Sequence, residues 1–283
     1  MKTLPAIKLL AGKMKLLAVA NQKGGVSKST TCAGVAYKAR ETFVIGEDGQ
    51  PRKLRVLLVD FDAMGSLSLM FQPTGFHTGP EPTTSVHLFD EGATIVPEML
   101  EPGFGILRSD KMLSQLAGVN GEGIKRPRNH LRALADDFDI CLIDTPGVLG
   151  ENPPMTIAAL VATNAVICPI SVGLFEADAL RSLVDYIHWV RKSGKNPMLK
   201  MMGLLPSRIN TRSPEEMGAL AEVRENFGGD VLPLMLGERA SVKQATAKRK
   251  PVWRGVKGAG HTVAAKEWHY ATDYILNNMG IFK

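Results

Sequence analysis

The stretch Asn21-Gln22-Lys23-Gly24-Gly25-Val26-Ser27-Lys28-Ser29-Thr30 constrains this chain more than any other. An apolar run, Leu16-Leu17-Ala18-Val19-Ala20, leads into it, and residues 31–40 read as a helix. A buried strand, a glycine-containing turn and a helix start are the parts of a phosphate-binding loop. The turn wraps backbone N–H groups around an anion, and the helix N-terminus adds partial positive charge. In such a loop the lysine reaches the β- and γ-phosphates and the next hydroxyl ligates Mg²⁺, which gives those parts to Lys28 and Ser29. A Gly-Gly pair alone is only a turn. Lys-Ser-Thr directly after it, and a strand directly before, favour the phosphate reading. The standard Gly-x-x-x-x-Gly-Lys-Ser/Thr spacing is broken at both outer glycines, by Gln22 and Ser27.

Two further strands end in carboxylates. Val56-Leu57-Leu58-Val59 runs into Asp60-Phe61-Asp62, and Ile140-Cys141-Leu142-Ile143 runs into Asp144-Thr145-Pro146-Gly147. Unbroken apolar runs are what a parallel sheet buried on both faces requires, and residues at the C-terminal strand ends face its ligand edge. The second run has the Walker B form, with Asp144 beside the metal and its water shell. The alternative reading of Asp60 and Asp62 is a pair of solvated strand-end caps.

Lys23 to Ser29 match Lys-Gly-Gly-x-x-Lys-Ser/Thr, the signature of deviant Walker A ATPases, and here the chain resembles the ParA/MinD family, in particular the ParA-type partition ATPases. Asp60-Phe61-Asp62-Ala63-Met64-Gly65-Ser66-Leu67-Ser68 resembles the family's second motif, with Ala63-Met64 in place of Pro-Gln, and Asp144-Thr145-Pro146-Gly147 matches its third. The resemblance covers roughly residues 15–252. It implies a nucleotide pocket formed by Lys23, Gly24, Gly25, Val26, Ser27, Lys28, Ser29 and Thr30. Mg²⁺ would sit at Ser29 and Asp144 with Asp60 supporting, and the attacking water would be placed by Asp62. The signature lysine, Lys23, would reach the phosphates of a second copy, so that ATP closes a homodimer. Ser207 and Arg208 become candidate contacts to the base. Ser27 stands where a Cβ crowds the β-phosphate, and is expected to retune nucleotide binding without abolishing it.

The chain between these motifs alternates strand and helix at least five times, which argues for α/β: a P-loop NTPase with a doubly wound, mostly parallel sheet flanked by helices, in one domain over residues 15–283. Residues 1–14 read as a short basic extension, and residues 42–55, with Asp48-Gly49 between alternating residues, as a hairpin insertion. Residues 109–121 and 129–136 read as helices, with a basic turn at 123–128 between them. Further strands are expected at 103–108, 165–170, 197–205 and 231–236, and helices at 175–192 and 214–227. The last helix, 262–279, places Trp268, Ala271, Ile275 and Met279 on one face. That stripe suits packing against the sheet better than a membrane surface, because the segment carries few lysines.

Composition allows one sizeable core: 283 residues, 45% hydrophobic and 22% charged. A formal net charge of +6 leans towards a polyanion. The segment 243–257 sharpens that lean, because Lys243, Lys248, Arg249, Lys250, Arg254 and Lys257 share it with no acid. Such a run is often a solvated face; the family resemblance makes it a candidate for salt-sensitive, sequence-independent DNA binding. Cys32, Cys141 and Cys168 lack metal-ligand spacing and read as buried thiols of a reducing cytosol. No signal peptide is apparent, so a cytoplasmic protein is expected; the family resemblance implies that it is nucleoid-associated. The function implied is a slow ATPase, stimulated by a ParB-like partner, that segregates DNA of a plasmid or mobile element. Its rivals are a MinD-like membrane-cycling ATPase, an ATP-binding scaffold with little turnover, and a cofactor-synthesis relative of the same P-loop class.

Overall fold

A computed structural model describes residues 7–9, 14–46, 48–116, 118–150, 153–172, 177–255 and 258–282. Among these, a strand β1 (Ile7–Lys8) comes first, followed by β2 (Lys15–Val19), α1 (Lys28–Glu41), the hairpin β3 (Phe43–Ile45) and β4 (Pro51–Lys53), β5 (Val56–Asp60) and α2 (Ser66–Met70). Next come β6 (Glu98–Glu101), β7 (Phe104–Leu107), α3 (Glu122–Ala133), β8 (Ile140–Asp144), α4 (Met155–Ala162), β9 (Ala165–Ile170) and α5 (Ala177–Lys192). The chain then forms β10 (Lys200–Ile209), α6 (Pro214–Phe227), β11 (Leu236–Gly237), α7 (Ala240–Ala247) and α8 (Ala259–Asn278).

The main sheet has the order β11-β10-β9-β2-β8-β5-β7-β6. Its pairings are parallel except at the edge, where β6 runs antiparallel to β7. One core lies under α3, α4, α5 and α6 and includes Leu131, Ile157, Ile187 and Leu220; the other lies under α1, α7 and α8 and includes Val35, Ala245 and Trp268. Helices on both faces explain why the central strands are apolar throughout: β5, β8 and β9 are buried along their whole lengths. The last helix packs its stripe inward, with Trp268, Ala271, Ile275 and Met279 all buried. No described helix is long and apolar enough to cross a membrane.

Local readings depart from the structure in three places. Among the described residues of 109–121 there is a 3₁₀ turn, Lys111–Gln115, in place of a helix, and the helix expected over 129–136 instead spans Glu122–Ala133, through the expected turn. Pro127 lies inside that helix, which a local reading takes as a break. Tertiary burial overrides it, because Ile124, Pro127 and Leu131 form an inward stripe in the core layer shared with α4. The strand expected over 231–236 shrinks to an isolated bridge at Val231 and β11, with the exposed Pro233 between them. Edge strand β6 carried no alternating signal.

The hairpin is pinned to the base of the sheet. Arg52 donates to Asp139 Oδ1 at 2.8 Å, and Arg55 donates its backbone amide at 2.7 Å and its guanidinium at 3.0 Å to the same carboxylate. Ile7 and Lys8 pair with Val44 and Ile45, so this part of the N-terminal extension forms a third strand on the hairpin. Burial would push the Asp139 carboxyl up, but the hydrogen bonds from Arg52 and Arg55 and the Arg55 charge outweigh it and hold the group below its usual range. On the other face, Gly34 lies under the Trp268 ring: a Cβ there would come within 2.6 Å of Cζ3.

Two stability outcomes follow. Asp139→Asn should cost about 2 kcal/mol at neutral pH, because two arginines lose a buried partner. A carboxyl with a depressed folded pKa stabilises above its unfolded pKa and loses that contribution as pH falls through the folded value. The gap between wild type and variant in denaturant titrations should therefore close in acid. Gly34→Ala should destabilise by about 1–3 kcal/mol through overpacking, despite alanine's advantage in a helix of about 1 kcal/mol, with a lowered Tm as the readout.

Candidate nucleotide site

Parallel register brings the three motifs together. Val19, the last residue of β2, pairs with Asp144, and Asp60 at the end of β5 pairs with Asp144 from the other side. The loop therefore leaves the sheet beside two strand-end carboxylates, at the C-terminal edge where ligands of such sheets bind.

The loop is held from behind. Asn21 donates from Nδ2 to the Pro169 carbonyl at 2.7 Å and accepts the Lys23 amide on Oδ1 at 2.9 Å. Thr145 Oγ1 donates to the Val19 carbonyl at 3.0 Å. Gly147 faces the loop so closely that a Cβ would lie 3.3 Å from the Gly24 amide nitrogen and 3.5 Å from Lys28 Nζ. Gly25 and Ser27 both take the left-handed conformation, with φ of 74° and 76°. Glycine adopts that geometry freely, whereas for serine it costs about 1–2 kcal/mol. The amides of Gly24, Gly25, Val26 and Ser27 carry no hydrogen bond among the described residues, which leaves a cradle of donors at the start of α1. Val26 is buried beneath it, and Thr30 lines the cavity above.

Lys28 curls back over the loop and donates to the Lys23 carbonyl at 2.9 Å. Burial lowers its pKa, while the charges of Asp144 and Asp62 pull the other way. Lys23 is exposed at the mouth.

The carboxylates have different partners. Asp60 accepts the Ser68 amide at 2.8 Å, the Ser68 hydroxyl at 2.7 Å and the Asp62 amide at 3.2 Å, and burial pushes its pKa to about 6. Its oxygens are thus committed to setting the start of α2 and the turn that carries Asp62. Asp62 is half-buried, lines the cavity, and accepts the Met64 amide at 3.0 Å. Asp144 is fully buried, and among the described residues neither of its oxygens has a donor in hydrogen-bonding geometry, although the Ser29 hydroxyl is close enough to act on it. Burial and the Asp60 charge drive its pKa well up, against the pull of the Ser29 hydroxyl and the Lys28 ammonium. A buried carboxylate with both oxygens unused, beside a hydroxyl and with Asp60 close behind, is the donor set a hard divalent cation takes. The residues present therefore fit Mg²⁺ at Ser29 and Asp144, with Asp60 in a supporting position.

A cavity of about 570 Å³ opens from the loop. Its far wall is built by Leu236, Glu238, Val242, Lys243, Thr246 and Trp268. Of the two candidate base contacts, Arg208 lines it and Ser207 does not; Ser207 is fully buried and donates to the Leu205 carbonyl at 3.1 Å. The sequence assigns Asn21, Thr145, Gly147 and Glu238 no role in the site, and Trp268 only a place in the packing stripe of the last helix. The Asp-Thr-Pro-Gly match was a signal for Thr145 and Gly147, whereas nothing local marks the others.

The basic segment is only partly open. Lys243 lies on the cavity wall, 2.9 Å from Glu238; Arg249 donates to the Leu69 carbonyl at 2.9 Å; Arg254 pairs with Glu41 at 2.7 Å. Lys248 and Lys250 are exposed, and Lys257 lies outside the described residues.

Comparison with known proteins agrees with this geometry. The family described as an AAA domain matches residues 14–201. The chromosome partitioning protein ParA of Caulobacter vibrioides is 30% identical over 254 residues, covering 86% of this chain and 87% of the relative. Protein IncC of Escherichia coli is 29% identical over 276 residues, covering 95% of this chain and 71% of the relative. Among solved structures, the ATP complex of a single-residue variant of Cyanothece McdA superposes with a TM-score of 0.76 at 19% identity, over 95% of this chain and 98% of that one. Cobyrinic acid a,c-diamide synthase of Mycobacterium smegmatis, with bound ADP and magnesium, gives 0.68 at 24% identity, over 94% and 95% of the two chains. These structural likenesses establish the fold alone, a fold that holds nucleotide and magnesium in such neighbours. With its loop signature, its doubly wound sheet and its partition relatives, the chain belongs to the ParA-type P-loop ATPases.

Proposed function

We propose that this chain is a DNA-partition ATPase of a plasmid or mobile element, whose ATP-closed homodimer holds nonspecific DNA until a ParB-like partner triggers hydrolysis. The observation that carries the nucleotide half is a loop whose amides find no hydrogen bond among the described residues, at the same strand end as Asp144, a buried carboxylate with no donor in hydrogen-bonding geometry there. The partition half is supported by likeness to ParA and IncC over most of the chain.

In this reading the amides of residues 24–29 receive the phosphates and Lys28 exchanges the Lys23 carbonyl for phosphate oxygens. Mg²⁺, when bound at Ser29 and Asp144, supplies neutralising charge. Asp62 orients a water for in-line attack on the γ-phosphorus; the water's oxygen forms the new P–O bond, the bond to the bridging oxygen of ADP breaks, the water's proton passes to the released phosphate, and positioning with charge stabilisation does most of the work. Lys23 crosses to the nucleotide of the second copy, and this makes closure depend on ATP. The cations at Lys248, Arg249, Lys250, Arg254 and Lys257, with Lys243 at the cavity end, would meet DNA phosphates, and the protein would act in the cytoplasm on the nucleoid.

A second reading, an ATP-binding scaffold with little turnover, is favoured by one observation: Ser27 holds a left-handed backbone where its Cβ borders the phosphate cradle. Ser27→Gly distinguishes the two. Relief of strain and the greater freedom of unfolded glycine roughly offset each other in stability, so Tm should change little. Nucleotide affinity should rise several-fold, and phosphate release measured with DNA and partner present should rise with it. A wild type that releases no phosphate under those conditions would favour the scaffold.

DNA retention tests the switch. With a non-hydrolysable ATP analogue the wild type should retard duplex DNA in a salt-sensitive way, and with ADP it should not. Lys23→Ala should lose that retention while still binding the analogue. Equal retention in every nucleotide state would remove the switch.

A further inference from the structure

Opposite the P-loop, an ion cluster spans the cavity mouth that neither the loop motif nor the strand-end carboxylates account for. Glu238 Oε1 lies 2.9 Å from Lys243 Nζ and 3.1 Å from Arg208 Nη2. The other amino group of Arg208 donates to the Gly25 carbonyl, inside the loop. One guanidinium thus ties Glu238 to the phosphate cradle. Arg208 does this from a left-handed backbone, φ 58°, near the end of β10, a conformation that persists only where surrounding structure enforces it. The neighbouring cation on this wall is already committed, since Arg239 Nε is 3.1 Å from Glu267. The hydrogen bonds from Lys243 and Arg208 hold the Glu238 carboxyl below its usual range.

We propose that Arg208 is a phosphate-contacting residue of the nucleotide site, and that Glu238 is its intramolecular competitor, an internal anion that a nucleoside triphosphate must displace. This rests on the ATP reading above. A triphosphate seated on the loop brings several negative charges beside Gly25, where Arg208 already points. The same charges repel the Glu238 carboxylate and compete with it for Arg208 and Lys243. The ion pairs are part-exposed, with side-chain exposures of 44% for Arg208, 36% for Glu238 and 67% for Lys243. Pairs of this kind shift an equilibrium by only about two- to fivefold. That is strong enough to tune affinity and weak enough for a bound nucleotide to overcome. Adenosine, which lacks the phosphates, should be indifferent to Glu238.

The test is equilibrium binding of a fluorescent non-hydrolysable ATP analogue with Mg²⁺, and of adenosine, to wild type, Glu238→Gln, Arg208→Gln and the double variant, each checked by thermal unfolding. Glu238→Ala serves as a second variant if Glu238→Gln unfolds. Removing the carboxylate should tighten the analogue about threefold at low salt, less in high salt, and leave adenosine unchanged. Arg208→Gln should weaken the analogue about tenfold, and in its background the gain from Glu238→Gln should fall away, as a double-mutant cycle reports. An unchanged or weaker affinity in Glu238→Gln, or an equal gain for adenosine, overturns the competitor while the ATP reading stands. Failure of wild type and Glu238→Gln alike to bind the analogue overturns both.

Discussion

Asp144 is the point on which the site's electrostatics turn. A carboxylate taken fully out of water is costly unless a partner compensates, and among the described residues this one has only the pull of the Ser29 hydroxyl and the Lys28 ammonium, with no donor in hydrogen-bonding geometry. The sheet holds it there because β8 lies between β2 and β5, in a register that pairs Asp144 with Val19 and with Asp60. The neighbouring Asp60 shares its charge among Ser68 and Asp62, so the two aspartates do different things from nearly identical positions. One organises the turn that carries Asp62, and the other stays open towards the loop. The resulting negative field is balanced by Lys28, whose ammonium is desolvated and bent back onto its own loop.

Backbone strain follows the same geography. Ser27, Arg208 and Arg249 are the non-glycine residues with positive φ among those described. Ser27 ends the loop before α1, and Arg208 donates to the Gly25 carbonyl within that loop. Arg249 holds the end of α2 through the Leu69 carbonyl while its own carbonyl accepts the Tyr37 hydroxyl at 3.1 Å. Strained conformations persist where packing over-determines them, and they collect where ligands are handled. Two cations of the basic segment, Lys243 and Arg249, are thereby in contact with elements that border the nucleotide cavity. The segment is less a uniform positive surface than its composition suggests.

Much of this was legible along the chain. The phosphate loop, the strands ending in Asp60 and Asp144, the strand over 165–170, the helix over 214–227 and the inward stripe of the last helix all rest on short-range pattern, and each was found where the pattern put it. The misread segment around Pro127 shows the limit of such reasoning: a proline that breaks an isolated helix is tolerated when its ring contributes to a buried stripe. Edge strand β6 escaped, and the strand expected over 231–236 shortened to the Val231 bridge and β11, because edges carry little periodicity and exist by pairing with a neighbour.

The sequence by itself determined which residue types stand at the ligand edge of the sheet. Loop spacing, strand-end carboxylates and the second lysine are covalent facts, and buried strands write themselves as apolar runs. Only the tertiary structure decided which carboxylate stays unpartnered, that Ser207 turns into the core while Arg208 turns into the cavity, and that Glu238 lies beside Arg208 and pairs with it. Those outcomes depend on strand register and on side chains far apart in sequence, such as Gly25, Arg208 and Glu238, meeting in space. No local pattern encodes such a meeting, because it arises only when the strands have assembled in register.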